Sequence, residues 1–277
     1  MKTSLSLAYS TCPNDTFSFF ALAKGRIVCP DTSFQITLAD VQTLNQAAQN
    51  RTYDVTKLSF AAMGRLRSSY RLLKSGAALG RGCGPLVVAR PGADLSKLSS
   101  AAIAVPGMDT TALMLTGLYL GRPPRVVPMT FDRIMPEVAE GRFDFGVIIH
   151  EGRFTYPDYG LIQMLDLGAW WEQRTGLPVP LGCIAAAKDL PAGVIEQVEA
   201  AIRDSVAYAF SHPEETADYV RQYAQEMADT VVQQHIGLYV NSFSLNLGEE
   251  GAAAVKTLFS MAEASGIIPV EGSAVSA

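Results

Sequence analysis

The sequence predicts an α/β protein whose two domains close like a clamshell around a cleft. Three observations carry that prediction. Strand-like and helix-like segments alternate in two successive series, the pattern of parallel sheets covered by helices. Gly- and Pro-rich passages at 76–85 and 91–94 separate the series. After Lys188-Asp189-Leu190-Pro191 the chain turns helical, as expected of helices that return to cover the first domain. The 277 residues accommodate about two domains at ~150 residues each.

Each element has a local reason. Residues 5–8 alternate as a strand does and run into a polar turn at 10–15. A helix is expected at 16–24, with Asn14 or Asp15 as its cap. Strand 34–38, helix 41–49, strand 53–58 and helix 60–67 complete the first series. A strand at 86–90 follows the glycine-rich stretch. The second series reads as strand 102–105, helix 111–119, strand 125–129, helix 134–140 and strand 145–149. Residues 161–187 read as a strand pair around a Trp-Trp turn. Four helices are then expected, at 194–210, 213–225, 229–238 and 249–264. The tail, 270–277 above all, is rich in small residues and reads as frayed. Crossings near 86–90 and 182–188 give a larger domain of residues 1–90 plus 188–277 and a smaller one of 91–187.

Composition narrows the function. The chain is 48% hydrophobic and 18% charged, with a net charge of −5, so it has material for a core and no basic surplus to neutralise phosphates. Nucleic acid is not an expected partner. A small anionic molecule is compatible, because a local pocket can be positive in an acidic protein. The four cysteines, Cys12, Cys29, Cys83 and Cys183, form no CxxC and read as reduced thiols of a cytoplasmic protein, not as a zinc site. The N-terminus lacks the apolar core of a signal peptide, and no apolar window is long enough to span a membrane. Gly80-Arg81-Gly82-Cys83-Gly84 lacks the Lys-Ser/Thr of a P-loop, and no GxGxxG occurs. No nucleotide cofactor is expected.

Ligands of open α/β sheets sit beyond the carboxyl ends of strands, and clefts between domains are favoured pockets. Five polar clusters fall at such ends: Ser10 to Thr16, Lys57-Leu58-Ser59, Gly84-Pro85, Gly107 to Ala112, and His150-Glu151-Gly152-Arg153. His150 closes an apolar strand. It reads either as a strand-end histidine bonded to a loop or as a proton-transfer group, for which imidazole has the suitable pKa. Thr110 and Thr111 open a helix, whose N-terminus either is merely capped or binds an anion. Lys57 and Ser59 either are a solvated lysine and a cap or set a cation and a hydroxyl beside the same anion. Cys12 precedes a helix, where a thiolate is favoured, but spacing supplies no catalytic partner. His212 reads as a surface residue. His235 lies in an amphipathic helix far from the strand ends and reads as helix packing or surface. Trp170-Trp171-Glu172 reads as packing at a domain edge.

The motifs are specific in combination. Ser10-Thr11-Cys12-Pro13-Asn14-Asp15-Thr16-Phe17, Lys57-Leu58-Ser59 and Gly80-Arg81-Gly82-Cys83-Gly84-Pro85-Leu86 occur with Ile149-His150-Glu151-Gly152-Arg153-Phe154-Thr155-Tyr156. Leu167-Gly168-Ala169-Trp170-Trp171-Glu172 and Thr175-Gly176-Leu177-Pro178 complete the set. From about residue 3 to 266 the chain resembles the 1,4-dihydroxy-6-naphthoate synthases of the futalosine route to menaquinone. It departs from them at Thr11, where the family usually has proline. The resemblance implies a two-domain, periplasmic-binding-protein-like (type II) fold. It also implies a lyase that cleaves cyclic dehypoxanthinyl futalosine to 1,4-dihydroxy-6-naphthoate and dihydroxyacetone, with no metal or organic cofactor. By the same resemblance His150 is the proton acceptor, and Lys57, Leu58, Ser59, Thr111 and Ala112 bind substrate. Asn14, Asp15, Asn45 and Thr110 join them as candidate cleft contacts. Two alternatives share the fold: the chorismate dehydratase of the same pathway, and a small-molecule binding protein without catalysis. The Cys-Pro-Asn-Asp-Thr-Phe and Trp-Trp-Glu motifs weigh against the first. The missing signal peptide and a histidine facing the cleft weigh against the second.

Overall fold

The computed structural model describes residues 3–224 and 228–271. The first series runs β1 (Thr3–Tyr9), α1 (Pro13–Ala23), β2 (Thr32–Leu38), α2 (Val41–Gln49), β3 (Val55–Ser59), α3 (Phe60–Arg65), β4 (Tyr70–Leu72) and β5 (Ala78–Gly80). The second runs β6 (Leu86–Ala89), β7 (Ile103–Val105), α4 (Thr111–Leu120), β8 (Val126–Pro128), α5 (Phe131–Ala139), β9 (Phe145–Ile148), α6 (Gly152–Thr155), β10 (Ile162–Asp166) and α7 (Leu167–Thr175). Then come β11 (Val179–Ala187), α8 (Ala192–Ser211), α9 (Pro213–Tyr223), α10 (Asp229–Tyr239), α11 (Ser242–Leu245) and α12 (Gly248–Ala264). Among the described residues no helix is long and apolar enough to cross a membrane.

Two mixed sheets result. The first has the order β2-β1-β3-β11-β4, with β5 also paired to β11. Its βα series is parallel, β1 with β2 and β3, whereas β11 runs antiparallel to β3, β4 and β5. The second has the order β10-β6-β9-β7-β8, parallel through β7 and antiparallel at β6. One apolar core joins them: Leu58 of β3 and Ala185 of β11 belong to the same cluster as Val87 of β6, Ile103 of β7 and Leu115 of α4. Helix α4 carries apolar residues on nearly every side because it packs against both halves, touching α3, α7, α12, β9 and β11.

The expected α/β series is present, with differences that have local causes. Helix α1 starts three residues early, at Pro13, whose fixed φ suits the first helical position. Cys12 occupies the cap, so Asn14 and Asp15 lie inside the first turn with their side chains free for other bonds. The Trp-Trp turn is helix α7, capped by Asp166, which accepts from the Ala169 amide at 3.0 Å. The two strands beside it belong to different sheets. Strands β4 and β5 have three residues each, too short for a periodic signal. The far end of the helix expected at 213–225 and most of the tail lie outside the described residues.

We propose that the domains follow sheet membership, so that the chain crosses at 81–85 and at 176–178. Each expected boundary then moves by one strand, because β6 pairs with β9 and β10 while β11 pairs with β3. The first crossing is tightly seated. A Cβ on Gly168, at the start of α7, would overlap the Cys83 carbonyl oxygen, and one on Gly84 (φ +133) would lie 2.7 Å from the Gly168 Cα. Arg153 clamps the same loop, donating to the Gly84 and Gly82 carbonyls at 3.0 and 3.2 Å. Gly168→Ala is therefore expected to lower stability by about 3 kcal/mol, since backbone on both sides must move. Gly193, in the first turn of α8, has no atom within 4 Å of a Cβ, and Gly193→Ala is expected to be neutral or stabilising by up to about 1 kcal/mol. Urea unfolding midpoints of the two variants provide the check.

Candidate functional site

The carboxyl ends of strands from both sheets border a cavity, the place where such sheets hold small ligands. Ser10, Asn14, Asp15, Lys57 and Ser59 line it from the first sheet. Thr110, Thr111, Ala112 and His150 line it from the second, and His235 and Tyr239 from α10. A second space lies beside it, walled by Cys12, Met108 and Phe131. His150 borders both.

Its polar floor is an ion pair. Lys57 on β3 and Asp15 in α1 are almost fully buried, with the ammonium 2.5 Å from Asp15 Oδ1. Asp15 Oδ1 also accepts from Asn14 Nδ2 at 2.8 Å, and Oδ2 from the Ser10 hydroxyl at 2.6 Å. Those bonds offset the desolvation cost of burying two charges. Gly182 on β11 leaves room for the lysine stem, since a Cβ there would come within 2.9 Å of Lys57 Cε. Lys57 reaches the cavity, but with its charge already neutralised by Asp15.

At the rim, α4 begins. The Thr110 hydroxyl accepts from the Leu113 amide at 3.3 Å, while the Thr111 hydroxyl donates to the Leu181 carbonyl at 2.8 Å, tying α4 to β11. The first-turn amides of such a helix lack intrahelical partners and carry partial positive charge. Ser59 caps α3 and donates to the Asp109 carbonyl. Asn45, fully buried, holds that junction: its Nδ2 donates to Ser59 Oγ at 3.0 Å and to the Asp109 carbonyl at 3.2 Å. Asn45 and Leu58 do not line the cavity; Asn45 braces Ser59, and Leu58 sits in the core.

His150 follows β9 with φ +57, a left-handed conformation uncommon for a non-glycine residue and costly unless its surroundings hold it. They do so from both sides. Its Nδ1 is 2.7 Å from the Cys12 thiol, and its ring stacks on Phe131 with centroids 5.4 Å apart. Burial lowers the imidazole pKa, with the Glu151 charge opposing, so the ring is neutral at pH 7. Burial likewise raises the Cys12 thiol. Cys12 is thus a neutral neighbour of His150, not a thiolate. Glu151 makes no hydrogen bond to His150, and Arg153 is paired with Asp166 at 2.5 Å. Tyr156 packs against the second sheet's core.

His235 is the residue that sequence reasoning misplaced. The buried face of α10 is Val232, His235 and Tyr239, and α10 packs on α1 and β5. That packing brings His235 to the cavity wall, its ring 6.1 Å from that of His150. Nε2 bonds Asn14 Oδ1 at 3.0 Å. The only hint in the sequence was a histidine on the buried face of an amphipathic helix. Burial lowers its pKa from 6.5 to about 3, with the His150 and Lys57 charges adding to the effect. Between those values the unfolded chain binds one proton more than the native state, so stability rises with pH there. Unfolding free energies measured from about pH 4 to 6 are expected to fall with acidification by about 1.4 kcal/mol per unit more in the wild type than in His235→Asn.

Comparison with known proteins agrees with this architecture. A protein of Thermus thermophilus named 1,4-dihydroxy-6-naphtoate synthase is 53% identical over 264 residues, covering 95% of both chains. One of the same name from Streptomyces coelicolor is 44% identical, covering 97% of this chain and 96% of its own. Among solved structures, a protein of Archaeoglobus fulgidus superposes with a TM-score of 0.90 at 37% identity, covering 96% of this chain and 98% of its own. A Candida albicans protein described as having the generic periplasmic binding protein fold gives 0.71 at 12% identity, covering 97% and 92%. The periplasmic-binding-protein-like fold expected from the sequence is thus present. The menaquinone biosynthesis family matches residues 5–264, and the chain belongs to that family.

Proposed function

We propose that this chain is a cytoplasmic carbon–carbon lyase that converts cyclic dehypoxanthinyl futalosine to 1,4-dihydroxy-6-naphthoate and dihydroxyacetone. The observation that carries the reading is His150: a neutral imidazole held by Cys12 and Phe131 on the wall of the cavity. Relatives named for the product support the substrate class.

The chemistry follows from the residues. In the tautomer that puts Nδ1–H toward the Cys12 sulfur, Nε2 carries the lone pair and accepts a proton from a substrate hydroxyl. The oxyanion left behind collapses to a carbonyl and breaks the adjacent carbon–carbon bond, as in a retro-aldol reaction. Aromatisation of the bicyclic fragment draws the step forward. The N-terminus of α4, at Thr110, Thr111 and Ala112, suits the substrate carboxylate or a developing oxyanion. Lys57 contributes by fixing Asp15, and Ser59 by joining the two halves at Asp109.

Metal-free protein incubated with cyclic dehypoxanthinyl futalosine is expected to yield both products by mass spectrometry. Substrate retained intact would favour a binding protein and overturn the lyase. His150→Ala is expected to lower kcat by roughly 10²–10⁴-fold, the usual contribution of a general base. Because burial lowers the His150 pKa, the acid limb of kcat/KM is expected below 6.5. Activity then falls only as pH drops through that lowered value, and a limb at or above 7 would exclude a buried neutral base.

A further inference from the structure

We propose that His235 Nδ1 is the acceptor for a hydroxyl of the bound substrate. The inference rests on the substrate proposed above and assigns a second histidine of the same cavity.

A chain of bonds dictates which nitrogen of His235 carries the hydrogen. The Asp15 carboxylate, paired with Lys57, only accepts. The Asn14 amide nitrogen must therefore face it, and does so at 2.8 Å. That orientation turns Asn14 Oδ1, also an acceptor only, toward His235 Nε2 at 3.0 Å. Nε2 must then hold the hydrogen. The neutral ring is left with a bare lone pair on Nδ1.

That lone pair has nothing to accept from. Among the described residues Nδ1 of His235 is the one buried side-chain nitrogen or oxygen without a hydrogen-bond partner. His235 is 1% exposed, and an unsatisfied buried acceptor is costly and rare. His235 lines the cavity, its ring 6.1 Å from that of the proposed base. A neutral donor suits this nitrogen better than a cation, because burial penalises the charged form first of all. The proposed substrate and its aromatic product offer hydroxyls and no amine. His235 is too weak a base to keep a proton, so its role is to bind and orient while His150 moves the proton.

Two substitutions separate the ring's nitrogens. An asparagine carbonyl oxygen takes the place of Nδ1, and a glutamine amide takes the place of Nε2. Wild type, His235→Asn and His235→Gln are titrated anaerobically with 1,4-dihydroxy-6-naphthoate and with 2-naphthoate, the same acid without its hydroxyls. His235→Gln is expected to weaken the dihydroxy acid by about tenfold or more, while 2-naphthoate stays within about twofold. His235→Asn is expected to hold the dihydroxy acid within about threefold of wild type. Unchanged affinity in His235→Gln, or equal weakening of both acids, overturns the proposal and leaves His235 as a brace for Asn14. Wild type that binds neither acid overturns the substrate reading itself, which distinguishes the two failures. Nitrogen-15 spectra of labelled wild-type histidine need no variant. The His235 Nδ1 resonance is expected to move with the dihydroxy acid and not with 2-naphthoate; a resonance unmoved by both overturns the assignment.

Discussion

The buried pair of Asp15 and Lys57 is the constraint on which the site depends. In water such a pair contributes little. Here its members are 2% and 5% exposed, and removing either alone would strand a charge at a cost of about 3–5 kcal/mol. Its greater consequence is orientation. The carboxylate dictates how Asn14 faces, Asn14 dictates the His235 tautomer, and the ammonium locks β3 to the first turn of α1. One ion pair thereby translates two strand-end positions into a defined set of donors and acceptors. With Lys57 neutralised by Asp15, the α4 N-terminus is left as the positive end at the rim.

The second constraint is that no single half of the molecule contains the site. His150 comes from the end of β9, yet its ring is held by Cys12 from the first sheet and Phe131 from the second. Asp109 is gripped from the first sheet's side by Ser59 and Asn45, and Thr111 bonds back to β11. The left-handed backbone at His150 is tolerable because contacts from both sides over-determine it. The site exists only where the two halves meet, joined by the bonds of Asp109 and Thr111.

Much of the fold was legible because local signals agreed with one another. Helix α2 falls at 41–49 as read, since Asp40 caps it through the Gln42 and Thr43 amides and its apolar spacing is helical. The start of α1 was not legible for an instructive reason. Asn14 and Asp15 look like caps, but the ion pair and His235 claim their side chains, and capping falls to Cys12. Motif matching brought the strand-end clusters together and could not resolve roles within them. Lys57, Ser59 and Thr111 reach the cavity, whereas Leu58 alternates into the core, as a strand neighbour must. Asn45 acts one layer behind. His235 was invisible because its place is set by how α10 docks on α1, a long-range packing choice that periodicity does not encode.

Two histidines lining one cavity would seem redundant until their partners are compared. Burial pushes both toward the neutral form, so charge does not tell them apart. The neighbour of each ring does. His150 meets a thiol, a soft and weak partner that can donate to Nδ1 or accept from it and so does not fix the tautomer. His235 meets an amide oxygen whose orientation is anchored by a carboxylate and an ammonium, so its hydrogen cannot leave Nε2 without stranding that oxygen. A ring free to change protonation faces a ring forbidden to. Under the proposed function this asymmetry divides the labour of the cavity between moving a proton and holding the hydroxyl that determines where the proton is taken.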